Sequence, residues 1–220
     1  STTTSFDITI TDDEAPTISG MPANMTQTAD AGECNTAVTW AAPTTADNCS
    51  AVMTSTHSPG DSFEVGTTTV TYTSVDPSGN TTSLSFTVTV TDDEDPAIAG
   101  NPGNLTQTAD AGQCSALVSW TAPTATDNCA ISTFTSTHNS NDAFAVGTTT
   151  VTYTATDIHG NSSTASFTIT VTDNEAPVIS GNPGDLTASN DAGNCSAVVT
   201  WTAPTAADNC SVDTFTSDYS

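Results

Sequence analysis

The chain contains no lysine and no arginine. Salt bridges are therefore confined to its three histidines, and nothing in it can neutralise phosphate. Nucleic acid and anionic membrane surfaces are excluded as partners. Large apolar side chains are scarce too: Leu, Ile, Val and Phe total 34 of 220 residues. No apolar run approaches the roughly 18 residues that span a bilayer, so direct membrane insertion is not expected. No stretch shows a 3.6-residue apolar period, which removes amphipathic helices. Phosphate-binding loops, zinc-ligand spacings and nucleophile elbows are missing as well.

What remains is acid and hydroxyl. Asp and Glu number 25, for a net charge of −25 at pH 7, and Ser and Thr make up 73 residues. So many carboxylates must be screened by salt, spread apart, or neutralised by bound cations. Composition alone would place such a chain among disordered sequences. The order of the residues overrules that. Six cysteines at regular spacing also point to disulfides and an oxidising, extracellular compartment.

The order is a repeat. Trp40, Trp120 and Trp201 lie 80 and 81 residues apart, and Cys34, Cys114 and Cys195 keep that spacing, as do Cys49, Cys129 and Cys210. Asp12-Asp13-Glu14-Ala15-Pro16 recurs at Asp92 to Pro96 and at Asp173 to Pro177. Residues 1–11 match the run before Asp92 and are expected to be the last strand of a preceding repeat. Repeat 1 spans 12–91, repeat 2 spans 92–172, and 173–220 is an incomplete repeat 3. The sequence thus has the appearance of a window on a longer array.

Within a repeat the apolar period is two. Phe86, Val88 and Val90 alternate with threonines, as do Val70 and Tyr72, and Thr36, Val38 and Trp40 share a face. Threonine suits the wet face of a strand. Turn residues at Ala29 to Gly32, Pro43 to Asn48, Ser58 to Asp61 and Asp76 to Asn80 divide the repeat into about seven short strands. The expected fold is all-β: tandem immunoglobulin-like β-sandwiches forming an elongated rod. Trp40, Trp120, Tyr72 and Tyr153 are expected in the cores.

Cys34 to Trp40, Pro43, Asp47-Asn48-Cys49, Val65 to Thr73 and Asp76 to Asn80 resemble the hyalin repeat (HYR) family, and repeat 2 carries the same set. The resemblance covers essentially the whole chain. It implies an immunoglobulin-like fold, a place in extracellular matrix or on a cell surface, often in very large adhesion-type proteins, and no catalytic residues. Many bacterial members carry a further Cys before the Pro that follows the first strand, and another in the last strand. Here Met21, Asn101, Asn182 and Leu84 or a neighbour stand there, so that staple is missing.

In this topology the linker entering a repeat, the loop after the second strand and the loop after the sixth strand meet at one end, the head. That gathers Asp12, Glu14, Asp47, Asn48 and Asp76 in repeat 1. The equivalents are Asp92, Glu94, Asp127, Asn128 and Asp157 in repeat 2, and Asp173, Glu175, Asp208 and Asn209 in repeat 3. The loops with Asp30 and Asp110 lie at the opposite end, the tail, and face the next head. Carboxylates this close repel unless a cation sits among them, and Ca2+ takes six to eight oxygens in irregular geometry. One or more Ca2+ per junction is expected. The alternative is that Asp47 and Asp76 bond their own turns while the linker acids are solvated.

Two disulfide patterns fit. Local pairing, Cys34–Cys49, Cys114–Cys129 and Cys195–Cys210, closes the shorter loop at the lower entropic cost. Yet Cys34 starts a strand at the tail and Cys49 follows it at the head, about 20 Å away at roughly 3.3 Å per residue. A disulfide needs Cα atoms about 4.4–6.8 Å apart. Pairing across junctions, Cys34–Cys129 and Cys114–Cys210, avoids that distance and leaves Cys49 and Cys195 for repeats outside the window.

His57 and His138 correspond to Asp218, and His159 to Ser78, so no histidine recurs in every repeat and no enzyme is expected. Near-identical repeats favour a shaft or spacer over a ligand-binding adhesion module that recognises a glycan or protein receptor. The expected partners are neighbouring repeats of the same chain and, through exposed strand edges, other copies in a filament.

Overall fold

A computed structural model describes residues 2–218. Its regular structure is all strand, and no helix among the described residues is long and apolar enough to cross a membrane. By its internal contacts the chain forms two compact units: Ser1–Ala97 with Ala125–Thr133 and Ala155–Ser163, and Ile98–Thr124 with Phe134–Thr154 and Thr164–Ser220.

The first unit contains a complete sandwich. Its strands are β1 (Thr17–Ser19), β2 (Met25–Thr28), β3 (Asn35–Ala37), β4 (Thr44–Ala46), β5 (Val52–Ser55), β6 (Ser62–Glu64), β7 (Gly66–Val75) and β8 (Thr81–Thr91). One sheet runs in the order β2-β8-β7-β5. Its centre is the β7–β8 hairpin, paired from Gly66 opposite Val90 to Val75 opposite Thr81. Because side chains alternate across a strand, this register sends Val70, Tyr72, Phe86, Val88 and Val90 inward together. β2 lies parallel to β8, with Met25 opposite Val88. The facing layer consists of two short antiparallel pairs, β1 with β4 and β3 with β6. They add Val38 and Phe63 to the core.

The pattern recurs in β9 (Ala97–Ala99), β10 (Leu105–Thr108), β11 (Ser115–Leu117), β12 (Thr124–Thr126), β13 (Ile131–Ser136), β14 (Ala143–Ala145), β15 (Gly147–Asp157) and β16 (Ser162–Thr172). The sheet order is β10-β16-β15-β13, with β10 parallel to β16. In the second unit Ala116, Val118, Phe144, Val151, Tyr153, Phe167, Ile169 and Val171 form the core. β17 (Val178–Ser180) and β18 (Thr205–Ala207) pair antiparallel in repeat 3.

Eight strands stand where about seven were expected. β3 and β4 are two pieces of one strand, interrupted between Val38 and Pro43, where proline removes a ladder donor. In that gap Trp40, half-buried, donates its indole N–H to the Tyr72 hydroxyl at 2.8 Å and meets Phe86 edge-on, ring centroids 5.3 Å apart. Trp120 and Tyr153 repeat the bond at 2.8 Å. Trp201 is 43% exposed. The described part of repeat 3 offers it one two-stranded pair and no four-stranded sheet.

The strand expected over residues 1–11 is not formed among residues 2–11, and Ser1 lies outside the described residues. Phe6, Ile8 and Ile10 are 83%, 76% and 92% exposed. Their alternation suits a strand, but an alternating segment without a neighbouring ladder has nothing to pair with.

The packing makes a sharp contrast testable by guanidinium unfolding. Phe86→Ala, at a site 3% exposed, should lower stability by about 3–5 kcal/mol. Ile8→Ala should change it by less than about 0.5 kcal/mol. A loss under about 1 kcal/mol for Phe86→Ala would contradict the core described.

Candidate functional site

At the head of repeat 1 the β7–β8 turn fixes the first carboxylate. Asp76, 5% exposed, accepts the Asn80 backbone N–H on Oδ1 at 2.8 Å and the Asn80 side-chain amide on Oδ2 at 2.7 Å. The same amide donates to the carbonyl of Asp12 at 3.1 Å, which fastens the entering linker to the turn. Asp12 folds back to accept the Glu14 N–H at 3.2 Å. Asp47, after β4, accepts the Cys49 N–H on Oδ2 at 2.8 Å. Carboxylate oxygens of Asp12, Asp47 and Asp76 consequently lie within 4.8 Å of one another.

The head of repeat 2 is built the same way. Asp157, 2% exposed, accepts the N–H groups of His159 and Asn161 at 2.8 and 2.9 Å, that of Gly160, and the Asn161 amide at 2.7 Å. Asp127 accepts the Cys129 N–H at 3.0 Å. Asp92, Asp127 and Asp157 meet within the same 4.8 Å. In repeat 3 Asp173, Asp208 and the Cys210 sulfur come together.

These hydrogen bonds leave one side of each cluster unanswered. Asp12 Oδ2, Asp47 Oδ1, Asp127 Oδ1, Asn128 Oδ1, Asp208 Oδ2 and Asn209 Oδ1 are buried without a hydrogen-bond partner. Buried, unpaired carboxylate oxygens are costly, and the shortage is of positive charge or donors. Hard oxygens converging from three loops match the coordination habit of Ca2+, and the residues present fit that ion.

The remaining expected ligands are used differently. Asp30 accepts the hydroxyl of buried Thr36 at 2.9 Å, and Asp110 accepts the Leu117 N–H at 3.1 Å, so each braces its own turn. Glu94 accepts the N–H of Gly32 at 2.9 Å, and Glu175 that of Gly112 at 2.9 Å. Gly32 and Gly112 have φ of 78° and 70°, left-handed values at which glycine presents its N–H without strain. Asn128 donates to the Glu33 carbonyl at 3.0 Å, and Asn209 to the Gln113 carbonyl at 2.7 Å. Asn48 reaches Asp12 at 3.4 Å. Among the described residues, Glu14 joins none of the carboxylate clusters.

Cys34 and Cys129 are joined by a disulfide with Cα atoms 4.7 Å apart, and Cys114 and Cys210 by one with 4.6 Å. Cys49 and Cys195 are free and exposed, so none of the three local pairs forms. At Cys49 a hydrogen bond to Asp12 pushes the thiol pKa up. Desolvation and the charges of Asp12, Asp47 and Asp76 add to it.

His159 is the participant that recurrence could not reveal. Its Nδ1 lies 3.1 Å from Asp92 Oδ2, beside the Cys129 sulfur, which the disulfide to Cys34 withdraws from any ligand role. Repeat 1 has Ser78 at this place. The signal was local: His159 lies two residues after Asp157, inside the turn that bends over the cluster.

A family model for the HYR domain matches residues 11–90 and 91–171. Hyalin of Lytechinus variegatus is 39% identical over 184 residues, covering 81% of this chain and 35% of that protein. Hyalin of Strongylocentrotus purpuratus is 36% identical over 223 residues, covering 97% of this chain and 18% of that protein. The chain thus spans a minor part of either curated relative. Among solved structures, the protocadherin gammaB7 EC3-6 cis-dimer gives a TM-score of 0.34 at 16% identity, covering 76% of this chain and 54% of that one. The protocadherin gammaB4 extracellular domain gives 0.35 at 18%, covering 76% and 35%. Likeness at that level carries no weight for function.

Burial pushes the carboxyls of Asp76 and Asp157 up, but hydrogen bonds from Asn80 and its turn, and from Asn161 and its turn, outweigh it. Both pKa values end below the ordinary aspartate value. A depressed folded-state pKa gives stability that is present above the unfolded value, about 3.9. It is lost as pH falls through the folded value. Thermal unfolding followed from pH 7 to pH 2 should therefore drop below about pH 4. The Asp76→Asn, Asp157→Asn double variant should start lower at pH 7 and lose less in that window. Parallel curves for the two proteins would contradict the assignment.

Proposed function

The chain belongs to the HYR domain family, and from that premise we propose that it is a length of non-enzymatic extracellular shaft, stiffened at its repeat joints by Ca2+ and disulfides. The observation that carries this reading is the recurrence of one acidic head. Three carboxylates converge in repeat 1 and again in repeat 2, with buried oxygens left unpartnered at each. A protein without lysine or arginine has no side-chain cation to place there other than histidine.

Asp12, Asp47 and Asp76 would hold the ion in repeat 1, and Asp92, Asp127 and Asp157 in repeat 2, with Asn48 and Asn128 beside them. The ion supplies positive charge that lets the linker, the β4–β5 loop and the β7–β8 turn stay closed. Each head would then fix the linker that enters it, which turns a string of sandwiches into a rod. A disulfide beside the ion limits how far the joint opens when the ion leaves.

The histidines support a non-catalytic reading. His57 packs against Phe63 with ring centroids 5.1 Å apart, and His138 against Phe144 at 5.2 Å. The concavity lined by Leu186, Val199, Trp201 and Phe215 brings no histidine to its wall. The relatives named hyalin support placement outside the cell, in matrix or at a cell surface.

Thermal unfolding in millimolar Ca2+ and in excess chelator tests the reading. A site held at 100 times its Kd adds about 2.7 kcal/mol, several degrees in Tm. Sodium chloride at matched ionic strength should not reproduce the gain, and Asp47→Asn with Asp127→Asn should remove most of it. An unchanged Tm in the unmodified chain would overturn the calcium assignment.

A further inference from the structure

The turns that close the first two heads differ in their middle residues. Repeat 1 has Asp76-Pro77-Ser78-Gly79-Asn80 and repeat 2 has Asp157-Ile158-His159-Gly160-Asn161. Asp12 Oδ2 in repeat 1 is buried without a partner. Its counterpart Asp92 Oδ2, on a side chain 1% exposed, faces His159 Nδ1 at 3.1 Å. A nitrogen thus stands at the second head where the first offers oxygen.

The surroundings hold that nitrogen in place. The His159 backbone N–H donates to Asp157 Oδ1 at 2.8 Å, so the imidazole and the Asp157 carboxylate hang from one turn. The Ile158 N–H donates to the Ala130 carbonyl at 3.1 Å, which ties the turn to the loop that carries Asp127 and Asn128. Repeat 1 cannot make this bond, because Pro77 has no N–H. Asp92 is braced as well. Its Oδ1 accepts the Glu94 N–H at 3.2 Å and the Asn128 amide at 3.2 Å, which leaves Oδ2 to the imidazole.

A hydrogen bond from Nδ1 to Asp92 does not satisfy this head. One imidazole N–H answers one oxygen, and Asp127 Oδ1 and Asn128 Oδ1 stay buried with no partner. Carboxylate oxygens of Asp92, Asp127 and Asp157 also lie within 4.8 Å of one another. A cation shared among them answers all of these atoms together, and beside His159 it meets a nitrogen donor. Ca2+ takes oxygen ligands, whereas imidazole with carboxylate suits Zn2+ and its first-row neighbours. Two ligand atoms each about 2.1 Å from one Zn2+ lie about 3.0–3.4 Å apart for angles between square and tetrahedral. The 3.1 Å between Asp92 Oδ2 and His159 Nδ1 falls in that range.

We propose that the head of repeat 2 is a transition-metal site, which takes Zn2+ through Asp92, Asp127, Asp157 and His159 more tightly than Ca2+, while the head of repeat 1 remains an oxygen-only site. The inference rests on the reading of the acidic heads as cation sites and names the ion that the second one selects. Nδ1 gives its lone pair to the metal and the ring keeps its proton on Nε2. The Cys129 sulfur takes no part, because it is bonded to Cys34. Two heads of one chain then answer to different ions.

The test uses the full chain carrying Cys49→Ser and Cys195→Ser, so that no free thiol competes for the metal. Zn2+ and Ca2+ are titrated separately by calorimetry, and the ring nitrogens of the three histidines are followed by 15N NMR. The tightest Zn2+ should bind at least about tenfold more strongly than Ca2+. It should move the Nδ1 resonance of His159 and leave those of His57 and His138 in place. His159→Ser, which installs the residue of repeat 1, should weaken that Zn2+ by about 100-fold, the upper end of what even an outer-shell partner costs. His159→Asn keeps a donor beside Asp92 without the nitrogen lone pair and should lose Zn2+ equally, which separates ligation from simple bracing. Both variants should keep the Tm gain from Ca2+, a sign that the fold and the oxygen-only head are intact. Zn2+ no tighter than Ca2+, a shift at His57 or His138 instead of His159, or Zn2+ affinity indifferent to His159→Ser would each overturn the proposal. A Ca2+ gain in Tm alongside any of those results leaves the calcium reading standing. Zn2+ bound at His159 without any Ca2+ gain sinks only the calcium reading, and a chain that gains from neither ion sinks both.

Discussion

Unbalanced negative charge governs this molecule. With 25 carboxylates and no lysine or arginine, the chain cannot pair its acids with long flexible cations. It answers them with backbone N–H groups and asparagine amides instead. Asp76 and Asp157 each collect several such donors inside one tight turn. Asp47, Asp127 and Asp208 each take the N–H of the cysteine two residues on. Such donors are directional and fixed in place, so the acids acquire defined positions. A surface lysine would have screened the charge without ordering anything.

The same economy shapes the sandwiches. With few large apolar residues available, each core is concentrated along a single long hairpin, β7–β8 or β15–β16, whose inward positions are nearly all Val, Ile, Phe or Tyr. The opposite faces of those strands are threonine, and pairs such as Thr67 with Thr89 and Thr148 with Thr170 bond across the ladder. The facing layers are short and interrupted. Their tryptophans compensate by bridging to the hairpin through Tyr72 and Tyr153.

Most of the fold was legible because it is periodic. Period-two alternation located the hairpins, and the 80-residue recurrence located the repeats. That Asp12, Asp47 and Asp76 lie together follows from strand order, since each stands at the end of an element that terminates at one end of the sandwich. Finer assignments depended on side-chain reach, which spacing does not encode. The glutamates recur as faithfully as the aspartates, yet Glu94 and Glu175 extend to a glycine N–H rather than toward the carboxylate cluster. Asp30 and Asp110 look like ligands in sequence, and in the structure each gives one carboxylate oxygen to a hydrogen bond beside its own turn. His159 was invisible to any argument from recurrence because it occurs once. The break between β3 and β4 was hidden because Trp40 keeps the inward phase of the strand although the ladder has stopped.

The two disulfides also redraw the path that tension takes. Between Cys34 and Cys210 the shortest covalent route crosses to Cys129, runs backward along the chain to Cys114, and crosses again. Stretched out, the stretch from Cys114 to Cys129 measures about 50 Å, against about 600 Å for the unlinked chain between the same ends. Both long hairpins lie off that route. A pull applied between Cys34 and Cys210 would therefore fall on one short segment running against the chain direction, and a sandwich that melted under it would release almost no slack.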